Sequence, residues 1–203
     1  MLVDITLGQF KTMILRLTLK LAKKIGLAPL PAIPYDENRN PLLDWNAHLF
    51  TVQHTQYIIL TNTASLYSLI LSGRGITNDK QFVREVLSCM EEFMIVDGNK
   101  VVYENVIEQE SQRIFFSKIV NRRVLGSMND LIFQAMVYLS EGQKSPFDVS
   151  FMLNKTPMSY LNYSNPKTEF RKLYFTEDGD SPFNMQKKNN VISINDYRPQ
   201  KIK

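Results

Sequence analysis

Apolar and polar positions along this chain fall into short two-residue alternations followed by longer helical periodicities. "MILRLTLKLAKKIG" opens as a short strand and turns helical towards Gly26, a natural stop. "LAPLPAIPYDENRNP" then places four prolines between Pro29 and Pro41, which predicts an extended connector because each removes a backbone donor and restricts its predecessor. "AHLFTVQ" and "QYIILTN" are β-rich runs separated by almost nothing, and predict an antiparallel hairpin, although the intervening "HT" has no glycine. "SLYSLILSG" is a third strand or a short helix.

The clearest helix is "NDKQFVREVLSCMEEFM", where Phe82, Val83, Val86, Leu87, Met90, Phe93 and Met94 share one face. Asn78 with Gln81 fits a capping box at its start, and Asp97-Gly98 supplies its end. "YENVIEQES" reads as a weaker helix. "RIFFSKIV" reads as a strand, apolar on both faces near its start, as expected inside a sheet. "NRRVLGSMND" follows as a link, and "DLIFQAMVYLSEG" as a helix burying Leu131, Ile132, Ala135, Met136 and Leu139. "SPFDVSFMLNKTPMSYL" is a short strand or helix. From Asn162 onward the chain is polar and proline-punctuated, a tail by pattern.

These elements predict an α+β fold, a mainly antiparallel sheet of about five strands with two or three helices packed on one face. The expected organisation is an N-terminal extension at 1–12, a single α+β domain at 13–160 and a basic, loosely ordered tail at 161–203.

Composition narrows the classes. With 203 residues and 44% apolar content the chain supports one globular core. No run approaches the roughly 18 to 20 apolar residues that span a bilayer. Charged residues interrupt the opening segment and no small-residue cleavage site follows, so neither a signal peptide nor a membrane partner is expected, and the default location is the cytoplasm. Cys89 is the single cysteine, which precludes an internal disulfide and a cysteine-built zinc site. Beside that helix's apolar stripe and with no basic group near, it reads as a structural residue rather than a nucleophile. The two histidines, His48 and His54, are six apart and lack zincin spacing, so neither a metal nor a cofactor is expected.

Charge is unevenly placed. Of the net +4, all lies from Asn154 onward, where nine Lys/Arg face five Asp/Glu; the first 153 residues balance. Such a terminus is either solvated or attracted to nucleic acid or an acidic partner.

Two stretches carry candidate chemistry. In NRRVLGSMND, Ser127 and Asp130 form an S-x-x-D start to the expected helix, and this cap needs no ligand. It leaves Asn121, Arg122 and Arg123 unexplained. Gly126 would allow a ligand near the backbone, and N–H groups at Ser127, Met128 and Asn129 could point at an anion, with Arg122 as the clamp. The rival is an Arg122–Asp130 latch that pins the loop. In "NPLLDWNAHLF", Trp45 is a loop anchor, or else a stacking platform with Asp44 or His48 as proton carrier. No GxSxG, Walker A, GxGxxG or HExxH motif occurs.

Taken together, "MILRLTLKLAKKIG", "NPLLDWNAHLF", "YIILTNTASLYSLIL" and "NRRVLGSMND" resemble a family of small bacterial proteins catalogued only as a domain of unknown function. The resemblance covers about Met13 to Leu153. It implies one compact bacterial domain and brings no reaction, substrate or catalytic residue. Its motif positions here are Trp45, Leu49, Phe50, Asn121, Arg122, Gly126, Ser127, Asn129 and Asp130. Arg123 stands where the family pattern implies a small polar residue.

Three functions follow as expectations. The first is a non-catalytic module binding a phosphate-bearing ligand or nucleic acid through Asn121, Arg122, Arg123, Gly126, Ser127 and Asn129. The second is a protein-interaction subunit of a toxin–antitoxin, phage-defence or mobile-element system, docking through residues 190–203. The third is a small enzyme acting on a nucleotide or phosphoester, with Asp44, Trp45, His48 and Asp130 as site partners.

Overall fold

The computed structural model describes residues 12–111 and 113–175. Five strands form one sheet: β1 (Met13–Leu17), β2 (Asp44–Val52), β3 (Thr55–Asn62), β4 (Ser68–Ser72) and β5 (Ile114–Lys118), in the order β4-β3-β2-β1-β5. The α+β class holds, but the sheet is mixed: β1 is parallel to both β2 and β5, while β2, β3 and β4 are antiparallel. β1 and β2 are joined by α1 and the long connector rather than by a tight turn, and a crossover of that kind is what a parallel pair requires. The β2–β3 hairpin turns at Gln53 and His54, both left-handed at φ 46° and 66°, the two-residue geometry that glycine usually supplies.

Helices cover both faces rather than one. The first face carries Leu15, Leu17, Trp45, Ala47, Leu49, Ile58 and Leu60. Against it pack α1 (Leu19–Lys24), α2 (Asp79–Val96) and α3, a helical run through Lys100–Val102, the π-helical turn Tyr103–Ile107 and Glu108–Glu110. The second face buries Phe50, Val52, Ile59 and Ile70 under α4 (Arg122–Ser140), through Val124, Met128, Leu131, Ile132, Ala135 and Leu139.

Contrary to the interior position expected of it, β5 is an edge strand, and Phe115 is exposed. The proline-rich connector shields this edge. Lys118 N–H donates to the Pro31 carbonyl at 2.9 Å, and Ile33 N–H to Ser117 Oγ at 3.0 Å. A segment with few donors of its own suits a strand edge that must not recruit another chain. The opposite edge, β4, is closed by α5 (Pro146–Leu153), which starts in a capping box at Ser145 and Asp148. Ser150 Oγ accepts from Ile70 N–H, while the Asn154 amide accepts from Ser68 N–H and donates to its carbonyl. Side chains one helical turn apart thus stand in for a sixth strand.

The chain does not become a tail at Asn162. A seven-residue helix, α6 (Pro166–Lys172), capped by Asn165, returns to the first face. Its buried Phe170 stacks on Tyr67 at 4.3 Å and meets Trp45 edge-on at 5.9 Å. One aromatic contact therefore extends the domain past the expected boundary at 160. Residues 1–11 and 176–203 lie outside the described residues, and with them most of the expected extension and tail. No helix among the described residues is long and apolar enough to cross a membrane.

Phe170→Ala is expected to cost about 3–5 kcal/mol, the range for a buried aromatic truncation. Chemical denaturation checks this; a loss under about 1 kcal/mol would mean that α6 is an appendage rather than part of the core.

Candidate functional site

The second sheet face is divided. Under α4 it is apolar; towards β1 and β5 it is polar, because Arg16, Asp44, Asn46, His48, Thr61 and Ser117 alternate outward on their strands to the same side. Most of these are buried, so each needs a partner. Arg16, 1% exposed, donates to Asp44 through Nε at 2.8 Å and Nη2 at 2.8 Å, and to the Ile33 and Pro34 carbonyls. Thr63 Oγ1 donates to Asp44 Oδ1 and in turn accepts from Asn46 Nδ2 at 2.8 Å. Asp44 is thus a fully engaged structural carboxylate. Tyr35, partly exposed, lies within electrostatic reach of this cluster, and burial, followed by the Asp44 charge, raises its phenol pKa.

α4 begins at Arg122, six residues earlier than the S-x-x-D reading implies, and its cap is Asn121 rather than Ser127. Asn121 Oδ1 accepts from the N–H groups of Arg123 and Val124 at 3.0 and 3.2 Å. Ser127, Met128 and Asn129 lie beyond the first turn, so their N–H groups belong to the helix ladder and are not free to bind an anion. The Arg122–Asp130 latch is not formed either: eight helical residues separate them by about 12 Å along the axis. Among the described residues neither Arg122 nor Arg123 makes an ion pair, and both are exposed.

Arg123, Gly126, Ser127 and Asp130 follow helical i, i+3, i+4, i+7 spacing and line one wall of an open cleft of about 840 Å³. Ala64 of the β3–β4 turn, the Ser159–Asn162 segment and Glu169 complete it. Gly126 has a right-handed backbone, and a Cβ built on it would meet nothing within 4 Å. Glu169 is held below its usual pKa by hydrogen bonds from Lys172 and Ser164, and stays ionised. The cleft is therefore cationic at Arg123 and anionic towards Asp130 and Glu169.

The expected site residues separate into three groups. Arg123, Gly126, Ser127 and Asp130 share the cleft, with Arg122 exposed in the same first turn and Asn121 as cap. Asp44 and His48 lie on the polar sheet face. Trp45 lies on the opposite face from α4, fully buried, its Nε1 donating to the Leu42 carbonyl at 2.7 Å. It is an anchor and has no surface on which to stack a ligand, so the arrangement of Asp44, Trp45 and Arg122 around one substrate does not exist. Cys89 is mostly buried and its thiol is pushed up to about 12 by burial, then by Glu92 and Glu85, so it is a poor nucleophile. Residues 190–203, the expected docking segment, lie outside the described residues.

The sequence reading missed Arg16, Thr18, Asn46, Thr63 and Ser117. Their signal was polar residues at every second position of strands with an apolar other side, which resembles a solvent-facing pattern until burial is known.

The family described as Domain of unknown function (DUF6933) matches residues 14–169. This chain belongs to that family. The match runs from β1 into the first half of α6, past Leu153 where the resemblance ended. No curated protein matches the sequence.

Asp44→Asn is expected to destabilise the fold by about 3–5 kcal/mol, since it leaves the Arg16 guanidinium buried and unpaired. Arg16→Met with Asp44→Leu is expected to recover much of that loss. Urea titration of the single and double variants checks both; a single variant at wild-type stability would show that the pair is dispensable.

Proposed function

We propose that this protein is a non-catalytic module of the bacterial cytoplasm that binds a phosphate-bearing ligand, a nucleotide or a nucleic-acid segment, along the first two turns of α4. Gly126 carries the reading. A glycine inside a helix costs about 0.5–1 kcal/mol relative to alanine. Here neither packing nor a left-handed backbone calls for one. What its missing side chain preserves is close access to the helix from the cleft.

Arg123, unpaired among the described residues, offers a fork of donors suited to a phosphate at that wall, and Arg122 adds a second charge in the same turn. Asp130 stands about 10 Å further along the helix. A ligand with an anionic group at one end and hydrogen-bond donors at the other meets both, which answers the repulsion that Asp130 would exert on a bare anion. The absence of a disulfide suits a reducing compartment. Residues after Asn154 carry the chain's net positive charge and would add non-specific attraction to a polyanion.

Binding of inorganic phosphate, a nucleoside 5′-monophosphate and a short oligonucleotide, followed by calorimetry at several salt concentrations, tests the reading. Oligonucleotide affinity is expected to fall steeply with salt, and Arg122→Ala and Arg123→Ala each to reduce that slope by about one counterion. Gly126→Ala is expected to raise thermal stability, by about 0.5–1 kcal/mol, while weakening binding. No binding by any probe, or full binding by the alanine variant, would overturn it.

A further inference from the structure

Side chains of α5 close the β4 edge only as far as Ile70. Gly73 N–H donates to the Gln56 carbonyl and Asn62 N–H to the Tyr67 carbonyl, so by alternation the backbone groups of Ser68, Ile70 and Ser72 point away from β3. Asn154 takes both groups of Ser68, and Ser150 takes the Ile70 N–H. The helix reaches no further. Ile70 C=O and Ser72 N–H are left without a partner among the described residues, and Ser72 is exposed.

Ile114 and Phe116 on β5 also turn backbone groups outward. The β4 pair, by contrast, opens into a groove of about 520 Å³. The far wall of this groove is the α2 stripe Gln81, Arg84, Glu85, Ser88 and Glu92, which follows helical spacing. Ile76 and Phe147 supply apolar surface at its two ends. From Gln81 to Glu92 the wall is about 16 Å long, room for roughly five residues of extended chain. None of these residues belongs to the cleft at Arg123.

Charge is graded along the groove. Arg74 follows the end of β4 and makes no ion pair among the described residues. Arg84 pairs with Glu85 at 3.1 Å, but both are largely exposed, so water screens that pair. Glu92 lies about two turns further along α2, where Phe147 at the start of α5 packs on Phe93 at 5.3 Å. The groove is therefore cationic where β4 ends and anionic where α5 begins.

An acceptor and a donor two residues apart on one strand edge match the main chain of a peptide. In a parallel strand, a single residue opposite Leu71 gives its N–H to Ile70 C=O and accepts from Ser72 N–H; in an antiparallel one its two neighbours do so. A carboxylate at the Arg74 end completes the match.

We propose that this groove binds an extended segment of another protein, added as a short strand beside residues 70–72, with an acidic side chain set against Arg74. The main-chain pair fixes the register of that segment, and Arg74 selects its charge.

Selection of a random library of peptides of about seven residues, longer than the groove, on the full-length protein tests this. Enriched peptides are expected to carry aspartate or glutamate towards one end, and to slow solvent exchange of the Ser72 amide in ¹⁵N-labelled protein. Methylating each peptide N–H in turn is expected to abolish binding at the residue that meets Ile70 C=O, because the donor is lost. That scan leaves the protein itself unaltered. Arg74→Glu, at an exposed position, is expected to weaken the acidic peptides about tenfold or more. No enriched peptide, binding that leaves the Ser72 amide exchanging freely, or full affinity in Arg74→Glu overturns the inference. So does a Ser72 amide that is protected in the protein alone and released in Arg74→Glu, since the groove would then hold a second copy or the chain's own terminus.

Discussion

The Arg16–Asp44 ion pair sits where four pieces of chain meet: β1, β2, the proline-rich connector through the Ile33 and Pro34 carbonyls, and the β3–β4 turn through Thr63. Both charges are nearly out of solvent, so each must be matched by hydrogen bonds or the pair costs more than it returns. That requirement fixes the surroundings. A one-residue slip of β1 against β2 would turn Arg16 into the apolar core and Leu15 or Leu17 out of it, so the pair and the hydrophobic pattern select the same register. It also draws the connector against β5, where the prolines shield an edge that would otherwise be open.

From this pair follows the division of the second face. A helix can cover the apolar part, and α4 does, but it cannot cover a row of strand polar groups without satisfying them. The polar part is met instead by the connector, through the Ile33 and Pro34 carbonyls, while α4 lies over the neighbouring apolar part. The cleft beside Arg123 and Gly126 lies at the end of this face, where α4 meets the β3–β4 turn and Glu169 of α6. The Trp45 side of the sheet is closed by α1, α2, α3 and α6.

That closed side has a polar knot of its own. Asp97, buried at the end of α2, accepts from Tyr67, Asn99 and Lys167, and Arg171 reaches Asn99 and the Gly98 carbonyl. Lys167 and Arg171 come from α6, so the helix is held by charge-assisted bonds as well as by Phe170. This explains how a short, polar segment can belong to the core: Phe170 and the neighbouring Tyr174 bury its apolar side, and two cations at the right turns bind its polar one.

Local pattern alone determined β1, the β2–β3 hairpin, the amphipathic α2 with its Asn78 cap, and the stop at Gly98, because alternation, helical periodicity and capping act between residues near in the chain; it left β4 open between a strand and a short helix. It also marked Asn121 to Asp130 as unusual. Only the tertiary structure decided the rest. The start of α4 was hidden because Gly126 and Ser127 are poor helix formers, and burial of Val124 and Met128 on the sheet outweighs that local preference. The edge position of β5, the parallel pairing of β1 and the helical α6 depend on partners far along the chain. So does the polar cluster: Arg16, Asn46 and Thr63 read as ordinary strand and turn residues, and Asp44 as a candidate proton carrier, until burial removes their water and obliges them to bind one another.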